Sequence, residues 1–92
     1  MKKRKFAKTF SMPRQIKLIW DFRGPSSVPT AQHHEIHLKE YIAAEKMPVS
    51  VTGFEILSEM HAIAFMVVTE ELMIPVRDAL KPHRGEVYSI EN

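Results

Sequence analysis

The chain has 92 residues, 45% of them hydrophobic and 26% charged, with a formal net charge of +2. That length makes one domain, and the composition is that of a globular rather than a disordered protein. The absence of cysteine excludes a disulfide framework, a thiolate zinc site and a cysteine nucleophile.

The first segment holds most of the excess positive charge. Without Lys2, Lys3, Arg4, Lys5 and Lys8, 8 basic side chains face 11 acidic ones, a net of −3. Residues 1–11 therefore read as a basic, flexible tail and residues 12–92 as a single folded domain, with Met12 a conceivable alternative start. No apolar stretch follows the basic residues as it would in a secretory signal. The longest apolar run, Ala62 to Val68, is far short of a membrane span. The expectation is a cytoplasmic protein with no membrane contact.

Gln15 to Phe22 alternates in polarity, with Ile16, Leu18, Trp20 and Phe22 on one side, which predicts a half-buried strand. Arg23-Gly24-Pro25-Ser26-Ser27-Val28-Pro29 is rich in turn formers. Thr30 is the expected N-cap of a helix running to about Met47, with Ala31, Leu38, Tyr41 and Ile42 on its inner stripe and Pro48 as its stop. Val51 to Leu57 reads as a second strand, weakened at Gly53. After a turn over Ser58 to His61, Ala62 to Val68 is a third strand, apolar on both faces and therefore central. Thr69 caps a second helix reaching Lys81, with Leu72, Val76, Ala79 and Leu80 inside. Pro75 is awkward there and can instead mark the true first turn, after a looser stretch from Glu70 to Ile74. Glu86 to Ile90 is a short last strand.

Strand, helix, strand, strand, helix, strand resembles the ferredoxin-like split-βαβ superfold over roughly residues 13–91. The resemblance rests on element order and identifies no narrower family. It implies an α+β sandwich, with two helices on one face of a four-stranded antiparallel sheet of order 4-1-3-2. Small members of the superfold commonly close the open face by dimerising, as in the dimeric α/β barrels. Ile19, Ala62, Ala64, Met66 and Val68 are placed on that open face, so a homodimer through the sheet face is expected.

The same topology brings every histidine segment to one end of the domain. His33, His34 and His37 open the first helix, His61 sits at the hairpin, and His83 follows the second helix. His33 and His37, four residues apart, share one helical face, the spacing by which a helix offers two imidazoles to one metal. Completed by His83 or His61 and by Asp21 or Glu59, such a site suits zinc, nickel, copper or iron. Arg23 and Arg84 at the same end are candidate contacts for a small anion.

A homodimeric binding or sensory protein with a histidine-rich site for a divalent metal or small anion is the first functional reading. The second is an enzyme of the dimeric α/β-barrel kind. There His34, facing the sheet, is the acid or base, with Asp21 or Tyr41 as its support. The third is an interaction domain without a small ligand. Nucleic-acid binding is not expected: Trp20 and Phe22 share the inward phase with Ile16 and Leu18, and no RNA-binding motif is present.

Overall fold

The structure, a computed structural model, describes residues 14–49 and 51–88. The expected tail over residues 1–11 and the expected end of the last strand at Ile90 lie outside the described residues. The elements run β1 (Gln15–Arg23), α1 (Ser27–Glu45), β2 (Thr52–Ser58), β3 (His61–Thr69), α2 (Glu70–Leu80) and β4 (Arg84–Tyr88). All strand pairs are antiparallel and the sheet order is β2-β3-β1-β4, the ferredoxin-like α+β arrangement. Among the described residues no helix is long and apolar enough to cross a membrane.

The core is a single layer between the sheet and both helices. Ile16, Leu18 and Trp20 of β1 and Ala64, Met66 and Val68 of β3 meet Leu38 of α1 and Val76 of α2. The β1–β3 register places Trp20 opposite Ala64 and Phe22 opposite Ala62. Large side chains of one strand thus face small ones of the other, so the layer fills without overpacking. Ala62, Ala64, Met66 and Val68 consequently face the helices, which corrects their expected place on the open face. The open face carries the opposite phase, with Ile63, Phe65 and Val67 beside Ile19, because direct partners across a strand pair share a face. Ile19, Ile63 and Val67 are only 1%, 3% and 5% exposed. The expected broad apolar patch is therefore narrow.

Helix α1 starts at Ser27, earlier than the expected Thr30 cap. Pro29 then falls in its first turn, where the missing N–H costs nothing because first-turn amides have no helical partner. Gly24, at φ +106°, makes the tight turn before it. The Gly24 N–H donates to the Met60 carbonyl at 2.8 Å, joining this loop to the β2–β3 turn. The helix ends at Lys46 in the left-handed region, its N–H turned back to Ala43 and that of Met47 to Ile42.

Helix α2 runs unbroken through Pro75, so the looser stretch expected before that proline is helical. One interior hydrogen bond is lost. Glu70 and Glu71 in the first turn suit the helix dipole, and the Glu70 N–H is held by the Arg14 carbonyl at 3.0 Å. Strand β2 runs through Gly53. A Cβ there would lie 2.7 Å from Phe65 Cζ, so the Phe65 ring occupies the space that a side chain would take. Lys17 Nζ sits 4.4 Å from the centre of that ring.

The Trp20 indole N–H donates to the Leu80 carbonyl at 2.9 Å, tying β1 to the last turn of α2. A Trp20→Phe variant loses that bond and part of the core volume. It is expected to unfold with about 1–3 kcal/mol less stability in urea denaturation, with native far-UV circular dichroism retained.

Candidate functional site

Strand alternation decides which chemistry each histidine segment meets. Phe22 and Trp20 point to the helices, and His34 of α1 packs on both, with ring centroids 5.4 Å and 5.0 Å away. His83 also meets Phe22, edge-on, at 6.4 Å. His33 and His37 stand together on the exposed side of α1 with centroids 4.5 Å apart, as their spacing predicts. Four imidazoles therefore share the helix side of this end. His61 is the exception. It belongs to the open face of the sheet, beneath which the other four cannot reach it.

Asp21 belongs to that open face as well. Its carboxylate accepts from His61 Nε2 at 2.8 Å, from Arg84 Nε at 2.9 Å and from Arg84 Nη2 at 3.2 Å. Arg84 Nη1 also reaches Glu86 at 3.0 Å. The Arg84 hydrogen bonds above all, with those of His61, hold the Asp21 carboxyl at about 2 against the opposing effect of its burial. It is therefore ionised at neutral pH. Asp21 is thus separated from His34 by the thickness of the sheet, and it cannot support that ring as the enzyme reading expects. Tyr41 is half-buried against the core. No hydrogen bond joins it to His34 Nε2, which is buried and without a partner, as is Ser27 Oγ on the same helix.

The backbone of Asp21 is engaged too. Strand β4 begins only at Arg84, so β1 outruns it. The His83 N–H donates to the Ile19 carbonyl at 2.9 Å, and His83 Nδ1 accepts the Asp21 N–H at 2.7 Å. An imidazole takes the place of the next ladder carbonyl, and this fixes the His83 proton on Nε2. Nothing in the spacing of the sequence signals that bond. The Asp21–His61–Arg84 group was more legible: the alternation of β1 puts Asp21 opposite in phase to Trp20 and Phe22.

Among the described residues, no three histidine, aspartate or glutamate side chains come together as a set that could hold a metal ion. The Glu59 side chain is exposed at the turn, and Glu35 turns away to Thr52 Oγ1 at 3.2 Å and Lys39 Nζ at 3.3 Å. Arg23 is exposed at the end of β1, directly opposite His61. An open groove of about 330 Å³ lies at the other end of the sheet, between Arg14, Glu70, Met73 and Glu86, and has no histidine in its wall.

Burial, first of all, lowers the pKa of His34, and positive charge on His37, His83 and His33 lowers it further. A lowered histidine pKa favours the folded state while the ring is neutral. That contribution is whole above the unfolded value of about 6.5 and is lost as pH falls through the lower folded value. The melting temperature of the native chain is therefore expected to fall between pH 7.5 and pH 5.5 more steeply than that of His34→Leu, as read by differential scanning calorimetry. Comparison with known proteins brings no relative to bear on this site: no family model matches the chain, and no curated protein or solved structure is significantly similar to it.

Proposed function

We propose that this protein is a small homodimeric binding protein whose ligand site is its histidine-bearing end, where the His33–His37 pair takes a divalent transition metal. The observation that carries this reading is the 4.5 Å separation of two exposed imidazoles one helical turn apart. Two nitrogens at that spacing fill neighbouring positions around zinc, nickel, copper or iron and leave the rest to water or a small anion. His83 Nδ1 is already committed to the Asp21 amide and His61 lies across the sheet, so the pair binds without a third protein donor. Such a site is exchangeable rather than structural, which suits a sensor or carrier.

Saturating nickel or zinc is expected to raise the melting temperature by more than about 5 °C, and His33→Ala or His37→Ala to abolish the rise. An unchanged melting temperature with both ions, or an equal rise in both variants, overturns the metal reading.

The homodimer is supported by half-buried Phe65 on the open face, around which Ile19, Ile63 and Val67 are already covered within the chain. Exposed Leu57 and Met60 on the adjoining hairpin add to it. Light scattering on the native chain is expected to give twice the monomer mass. Phe65→Asp is expected to give a monomer with unchanged far-UV circular dichroism, and a monomeric native chain refutes the dimer.

One observation favours a second reading, an enzyme using His34 as acid or base between sheet and helix. His34 Nε2 and Ser27 Oγ are both buried without a hydrogen-bond partner, an arrangement that proteins seldom leave unfilled. The absence of Asp21 from that side leaves His34 without a carboxylate, which makes metal binding the better reading.

A further inference from the structure

The open face of the sheet carries a second group of polar residues that the metal reading does not use. Asp21 is clamped from both neighbouring strands: Arg84 of β4 grips it through two nitrogens and His61 of β3 through one. Its side chain is 14% exposed and that of His61 19%, so both are held in place while each keeps some contact with solvent. A carboxylate fixed in this way orients the ring bonded to it. With the ring neutral, Nε2–H donates to Asp21 and Nδ1 carries the free lone pair. Nδ1 has no hydrogen-bond partner among the described residues. Arg23 stands directly opposite His61 on β1, on the same face, and it is exposed with no acidic partner among the described residues. Opposed residues of an antiparallel pair have Cβ atoms about 5 Å apart, so the guanidinium and Nδ1 can reach one small ligand together.

We propose that Arg23 and His61, the latter oriented by Asp21, form a binding site for a small oxyanion that also carries an acidic proton. Inorganic phosphate, which keeps a P–OH at neutral pH, is the type. The guanidinium fork pairs with two unprotonated oxygens, and Nδ1 accepts the remaining P–OH. Arg84 is not a ligand of the anion. Each of its three guanidinium nitrogens already donates to Asp21 or Glu86, and its part is to keep Asp21 in place. This site is on the opposite face of the sheet from the His33–His37 pair and stands or falls separately from it.

The test is a titration of the full-length protein with inorganic phosphate at pH 7, followed through its histidine ring resonances, with sulfate as the comparison. Sulfate matches phosphate in size and charge and has no proton to give at that pH. Phosphate is expected to shift the His61 resonances saturably and to bind about tenfold more tightly than sulfate. Arg23→Gln is expected to weaken phosphate binding about tenfold, the loss of one charge-assisted contact. Asp21→Asn, which no longer fixes the ring, is expected to erase the preference for phosphate over sulfate. Equal affinity for the two anions in the native chain overturns the role of His61, leaving only attraction to Arg23. Shifts confined to His33, His37 and His83 overturn the location. No response to 20 mM phosphate (about the ceiling of a useful affinity), with Asp21→Asn merely less stable, means that the cluster is a cross-strand ion pair and overturns the proposal.

Discussion

The pairing of β1 with β3 sets almost everything else in this molecule. Nine consecutive residues of each strand are in register, and on the helix side the sequence of sizes is complementary: Ile16 with Val68, Leu18 with Met66, Trp20 with Ala64, Phe22 with Ala62. The two alanines make room at one end of the layer. Into that room comes His34, an unusually polar group for a helix–sheet interface, packed on the two aromatic rings. A slip of one residue would exchange the faces of β3 and put Phe65 against Trp20. The register therefore fixes which side of the sheet is hydrocarbon and which side carries Asp21, His61 and Arg84.

The same constraint divides the histidines by environment rather than by sequence distance. His33 and His37 stand in water, side by side. His34, one residue from His33, is partly desolvated, and burial first and then the neighbouring imidazoles disfavour its charged form. His83 works as a backbone substitute at the end of a short strand, and His61 as the partner of a carboxylate. Five chemically identical side chains thus carry four different sets of obligations, and the solvent-facing pair has both rings exposed and free of protein hydrogen bonds among the described residues.

Element order, sheet order and the two-helix face were legible because periodicity and turn chemistry are local. The helix-side phase of β1 was legible for the same reason, since Lys17 and Asp21 interrupt its apolar residues. Strand β3 gave no such cue. Apolar in both phases from Ala62 to Val68, it leaves the choice of face to volume matching against β1, which depends on pairing and not on pattern. The start of α1 was misplaced because Pro29 looks like a breaker until it is recognised as a first-turn residue. The candidate end of the domain followed from topology. Its division between two faces did not, because assigning His61 to a face requires the phase of β3.

Asp21 is grasped from three directions. His83 holds its amide along the sheet, while His61 and Arg84 hold its carboxylate on the open face. Through Phe22, the next residue in the strand, it also adjoins the aromatic shelf on which His34 rests. One residue thus ties the end of β1 to the loop after α2 through the 20–21 peptide, and to both neighbouring strands through its side chain.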